Sequence, residues 1–356
     1  MKIAQLVPAI RPLLSPTLAI AAALLVGAGL IALTGVSPFK AYGVLFRESL
    51  ANYYGFGNTL TKTAPLLLAA LGVLVALRAG QFNIGAEGQI YLGGLGSTIV
   101  GLYLPGLPGW LHLPLALTAA FLFGALWGWF PGYLKALRGV NEVITTLLLN
   151  YIGLHWISYL VAGPLKDPAA PTPFSPMIAP SARLPIILAG SQAHAGILVG
   201  LGAALVLWVV LQHSALGYQV DAVGQNPIAA RYAGISVPGT IMLAMALSGG
   251  LAGLAGAGEV LGLKYRLFEK FSPGYGFDAI AIALLSRGSV LGIGFISLFF
   301  GALRAGANVM QRSAGVPVTV VYVIQGLTVL FVAVGLVLEQ YLWKRSPVSM
   351  VLEEQA

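Results

Sequence analysis

The chain has 356 residues, 58% of them hydrophobic and only 8% charged, with a mean hydropathy of +0.88. Soluble domains carry about a quarter charged residues, so this composition excludes an ordinary soluble enzyme and points to a helical protein that crosses a membrane repeatedly. The net charge of +8 is scattered at the ends of apolar runs, which argues against a nucleic-acid partner, and the lack of cysteine excludes disulfides and Cys-ligated metal.

In chain order, Lys2 and Arg11 precede an apolar run at 13–34. That run is longer than the roughly 7–15 residues of a signal-peptide core and is expected to be a retained first span. Further spans are expected at 58–77, 84–104, 113–130 and 143–162, with Pro105 to Gly109 as a tight turn. The proline-rich stretch 163–191 reads as an exposed, ordered external loop. A sixth span at 195–211 leads into a polar, turn-rich stretch at 213–239, and a seventh covers 240–263. After the charged and aromatic connection Lys264–Gly276, Phe277–Leu285 is helical in character but too short to cross a bilayer alone. Runs at 290–310 and 318–338 complete an all-α, polytopic protein of about ten transmembrane segments, a single transmembrane domain over residues 1–356. Charge does not orient it, because Lys and Arg fall equally on the two sides, with Arg304 within a span and the Lys344-Arg345 pair beyond the last.

Phe82-x-x-Gly85 and Phe271-x-x-Gly274 are followed at the same offset by Leu95-x-Ser97 and Leu284-x-Ser286. The two segments open spans three and eight, which run in opposite directions. Short, glycine-broken segments at matching places in two halves are the pattern of an inverted repeat around a transport path, here of spans 2–5 and 7–10; chance likeness of glycine-rich helices is the competing explanation.

No Gly-x-x-x-x-Gly-Lys-Ser/Thr occurs, so the chain has no P-loop for a nucleotide. Gly253, Gly256 and Gly258 lie inside an apolar span and suit helix packing. His112, His155, His194 and His213 lack the spacing of a metal site or catalytic triad, which leaves an enzyme unsupported and no metal expected. Polar groups at membrane depth are Asn83, Glu87 and Gln89 in span three, Asn141, Glu142, Thr145 and Asn150 along span five, and Glu259 near the end of span seven. Such groups face a cavity or a partner because lipid exposure is costly. They are candidates for a hydrophilic translocation path, with helix–helix hydrogen bonding as the alternative.

The sequence Ala222-Val-Gly-Gln-Asn-Pro-Ile-Ala-Ala-Arg-Tyr-Ala-Gly234 is set apart by its start and stop signals. Asn226 suits an N-cap, Pro227 the first helical position and Gly234 the C-terminal stop. A helix of about two turns is too short to stand alone and is expected to dock on something.

Together with Arg78–Gln89 and Asn141–Tyr151, this stretch resembles permease subunits of ABC importers, in the branch of branched-chain amino acid, ribose and nucleoside permeases. Within that branch, Asn141–Tyr151, the loop that follows and Phe277–Gly288 most resemble the nucleoside (simple-sugar) members. The resemblance spans about residues 55–340 and implies a type II ABC importer-like permease with no ATPase or cofactor of its own. ATP and Mg would be used by a separate ATP-binding cassette subunit. That subunit would receive a coupling helix formed by Gly224, Gln225, Asn226, Pro227, Ala229, Ala230, Arg231, Tyr232 and Gly234. The resemblance also implies a second permease, identical or paralogous, and an extracytoplasmic solute-binding lipoprotein. Location would be the cell membrane, with the loop at 213–239 and both termini cytoplasmic. The implied cargo is a nucleoside, with ribose, another sugar or a branched-chain amino acid as alternatives. From a different class, an ion-coupled secondary transporter would need no such docked helix.

Overall fold

The computed structural model describes residues 3–344; Lys2 and Arg345 lie outside the described residues. The helices are α1 (Ile3–Leu33), α2 (Pro38–Phe46), α3 (Tyr53–Arg78), α4 (Ala86–Tyr103), α5 (Gly109–Arg138), α6 (Glu142–Ala162) and α7 (Gly196–His213). They continue as α8 (Ala215–Gln225), α9 (Pro227–Tyr232), α10 (Val237–Glu259), α11 (Tyr275–Leu285), α12 (Val290–Ala314) and α13 (Val318–Lys344). Among the described residues the only β pairing is two isolated bridges, Phe174–Phe268 and Ile186–His194.

Every apolar run of the sequence is helical. Among the described residues six helices are long and apolar enough to cross a membrane, or up to seven if 17–33 and 38–51, bent by 119°, count as one broken span. Fewer elements qualify than the ten expected for physical reasons. Helix α4 has 18 residues and begins with Glu87 and Gln89 in its first turn, and α11 has only 11 residues. Helix α2 was not expected; Pro38 at its start and Gly35 at φ +78° set the sharp turn out of α1.

Among the described residues two compact units emerge, one from 3–52 with 303–344 and the other Tyr53–Ala302. In the first, α1 packs along α13, and Gly27 leaves room for Ile324 and for the Tyr42 hydroxyl, which donates to the Leu24 carbonyl at 2.7 Å.

The second unit is built around α3 and α10, whose membrane windows are 83% and 72% buried, against 22% for α5 and 28% for each of α6 and α7. Glycines allow the inner helices to touch backbone to backbone. A Cβ on Gly93 would strike Gly253, one on Gly124 would strike Gly249, and one on Gly256 would strike the Ile90 carbonyl. Gly253 and Gly256 thus occupy helix contacts. At one end of this unit the long loop after α6 lies over the connection after α10. Ser175 N–H donates to the Leu267 carbonyl and Leu267 N–H donates to Ser175 Oγ, both at 2.9 Å. Phe174 stands edge-on to Phe268 with ring centres 5.8 Å apart.

Candidate functional site

At the opposite end, α8 and α9 project as a pair. Sequence reasoning found α9 and missed α8, although Ser214 gives the signal: its Oγ accepts from Gly217 N–H at 3.3 Å as an N-cap. Asn226 caps α9 as expected, its Oδ1 accepting from Ile228 and Ala229 N–H at 3.0 Å each. Beyond the helix, Gly234 at φ +80° donates to Arg231 O and Ile235 donates to Ala230 O, both at 3.0 Å. This crossed pair is a Schellman stop, and Ile235 and Ala230 also meet in the apolar cluster of Val223, Val237, Ile241 and Ala136. One side of α9 is thereby anchored. The other is presented outward: Pro227, Ala229 and Arg231 are exposed, with Ile228 70% and Tyr232 91% accessible.

The pair is also fastened to the end of α3. Asp221 Oδ1 lies 3.1 Å from Arg78 Nε. One turn on, Gly224 approaches the Arg78 carbonyl so closely that a Cβ would collide with it, and Gly80, at φ +72°, lies against the Gly224 backbone from the other side. Gln225 is exposed beside Asn226.

Immediately after this contact the chain breaks helix, through residues 79–85, and there the path candidates of span three converge. Asn83 Nδ2 donates to Gln89 Oε1 at 2.9 Å and to Ser248 Oγ of α10 at 2.8 Å, while its Oδ1 accepts from Gly85 N–H at 2.9 Å. Asn150 ties α6 to the same break, donating to the Ile84 carbonyl at 2.9 Å and accepting from Gly88 N–H at 2.8 Å. All three amides are buried. Glu87 is buried too, and its Oε2 accepts from Gly276 N–H at 2.7 Å, so a carboxylate sits where the N-terminal ends of α4 and α11 meet.

Among the other candidates, Glu142 reaches the break through a backbone hydrogen bond from Phe82. Glu142 pairs with Lys135 at 2.8 Å near the α9 end of the unit. Asn141 caps α6 from an exposed position, accepting from Val143 N–H at 2.9 Å, and Thr145 is half-buried one turn later. Glu259 is buried at the end of α10. Sequence reasoning passed over His194, whose ring is enclosed by Gly196, Gly258 and Gly262 and whose Nδ1 accepts from Gly196 N–H at 3.2 Å. Burial, helped by the Lys62 cation, pushes its pKa down to about 4. Among the described residues no group of His, Asp or Glu could hold a metal ion.

The model of the branched-chain amino acid transport system permease component matches residues 55–333, and the chain belongs to that family. It is 40% identical over 325 residues to a guanosine ABC transporter permease protein of Bacillus subtilis, covering 90% of this chain and 93% of the relative. Identity is 39% over 338 residues to a glucose ABC transporter permease protein of Haloferax volcanii, covering 92% and 88%. It is 34% over 350 residues to a nucleoside ABC transporter permease protein of Lactococcus lactis, covering 95% of each. Each of these organisms also contributes a second permease, matched at only 26%, 29% and 24% identity respectively. The protein is an ABC transporter permease, a non-catalytic, multi-pass component of the plasma membrane.

Proposed function

We propose that this chain is the permease subunit of an ATP-driven importer that moves nucleosides. The observation that carries the reading is the outward face of α9, presented by a cap, a Schellman stop and an apolar anchor, and fastened through α8 to the break between α3 and α4. In this reading an ATP-binding cassette subunit, which consumes ATP and Mg, grips Ala229, Arg231 and Tyr232 from the cytoplasm. Closure of that subunit displaces α8, and the displacement reaches residues 79–85. Both termini are then cytoplasmic, and the loops at 163–195 and 265–274 face outward, where a solute-binding lipoprotein would dock. The two nucleoside-named relatives support the cargo, and the glucose-named relative supports a sugar as the second reading. Two permeases in each relative's organism support a heterodimer.

The reading includes about ten membrane segments arranged as an inverted repeat within one transmembrane domain. Supporting it, the N-caps of α4 and α11 are Gly85 and Gly274, and 274 − 85 equals the 189-residue separation of the hydrogen-bonded pair Glu87 and Gly276. Contact between equivalent positions is what a two-fold axis passing between them would give. The buried amides Asn83, Gln89 and Asn150 then frame the path, while Asn141 and Thr145, on the open side of α6, line it.

The test is uptake into vesicles holding the complete transporter with its binding protein. ATP-dependent entry of labelled guanosine is the expected result. Entry of glucose alone would overturn the nucleoside assignment, and entry driven by an ion gradient without ATP would overturn the coupling.

A further inference from the structure

Helices α6 and α7 are both apolar enough to cross a membrane and leave equal shares of their surface uncovered, 28% of each window being buried. The large side chains that α7 exposes are Leu198, Leu201, Leu205, Val206, Trp208 and Val209, a surface suited to acyl chains. Helix α6 exposes Tyr151, His155, Trp156 and Tyr159 over its second half. It is the least apolar of the six helices, and α7 the most. Tyr151, His155 and Tyr159 recur at helical spacing and share one face with Asn141 and Thr145 and with the exposed apolar side chains of Ile144, Leu148 and Ile152. Neither the imidazole nor either phenol makes a hydrogen bond among the described residues. Hydrogen-bonding groups of this kind are costly in hydrocarbon, and an ionisable one within a span marks a functional face.

These side chains and Ile152, all on α6, line a shallow, wide-open hollow on the surface of that one helix. Its walls offer aromatic faces, with Trp156 and Tyr159 ring centres 6.0 Å apart, and donors and acceptors at the rim. Flat π-surfaces with a few hydrogen-bonding groups suit a planar, heteroatom-bearing ring; an unsubstituted sugar would find no charged or amide group here to grip its hydroxyls.

We propose that Tyr151, His155, Trp156 and Tyr159 form one wall of a subsite for the planar heteroaromatic ring of the transported solute, which stacks on the aromatic side chains and hydrogen-bonds to His155 and the tyrosine hydroxyls. The proposal rests on the importer reading above and gives that path a specificity element. The helix passes the ring along without enclosing it, as a path needs.

The chain has no cysteine, so Ile152→Cys places a single thiol in the hollow with the four proposed contacts intact. In the complete transporter, a charged, water-soluble thiosulfonate is expected to label it, and saturating guanosine, but not glucose, is expected to slow labelling. Separately, Trp156→Ala and His155→Leu are expected to raise the KM for guanosine uptake by about 5- to 150-fold, the range of one lost base-stacking contact, with His155→Gln recovering part of the loss. An unreactive thiol, protection by glucose instead of guanosine, or no protection by either would overturn the subsite. Guanosine protection without ATP-driven guanosine uptake would leave the subsite standing and sink the importer reading.

Discussion

Two polar regions of this chain stand out in its sequence, and the structure gives them opposite characters. Around residues 83–89 the amides of Asn83, Gln89 and Asn150 are buried and matched, spending their hydrogen bonds on one another, on Ser248 and on the backbone. Around residues 224–234 the polar groups cap the helix ends and leave Arg231 and Tyr232 open to the outside. In a lipid-facing chain a polar residue signals that a partner exists. Whether that partner lies inside the chain or beyond it separates a framework from an interface.

The sharpest way to break this comparison is to spoil each region and read folding and transport separately. Reversing charge or adding it on the open face, with Arg231→Glu and Ala229→Asp, is expected to cut ATP-driven uptake more than about tenfold. The melting temperature of the purified permease should not change, because neither side chain packs within the chain. A matching loss of melting temperature would show that the face is structural.

In the buried region Asn150→Leu is expected to act the other way. It strands Gly88 N–H and the Ile84 carbonyl, at about 1–3 kcal/mol for each unpaired group, and thermal unfolding in detergent should report the loss. An unchanged midpoint would mean that water or a shifted backbone replaces the amide.

His194 sharpens the contrast through pH. Its folded pKa, about 4, lies below the ordinary value of 6.5, so between those values the unfolded chain binds a proton that the folded chain refuses. Stability should fall as pH drops from about 6.5 towards 4. His194→Asn, which retains an acceptor for Gly196 N–H, should flatten the slope measured by melting temperature against pH.

The smallest effect is expected at the Arg78–Asp221 pair. Asp221→Asn should lower stability by about 0–1 kcal/mol, as for other partly exposed ion pairs. A loss of several kcal/mol in chemical or thermal unfolding would show that the pair, and not the adjoining glycine contact, holds α8 in place.

Local chemistry made α9 legible from sequence. Asn226, Pro227 and Gly234 act within a few residues of themselves, so reading them needs no knowledge of the fold. Helix α2 carries a local signal too, in Pro38 at its first position after Ser37. The matching of Asn83 with Ser248, 165 residues away, had no local trace, which is why a packed framework and a polar path looked alike. The α6 face was legible in principle. His155 fits neither a metal site nor a catalytic triad, yet its position between Tyr151 and Tyr159 at helical intervals is already visible in the sequence.

The meeting of Gly224 with Arg78 and Gly80 bears on how faithfully motion travels. A contact between side chains has rotamers that can yield, so part of any displacement is absorbed before it reaches the next helix. Here main chain rests on main chain, with no flexible atoms between. The joint is stiff in compression: α8 can push the end of α3 or part from it, but it cannot settle into it.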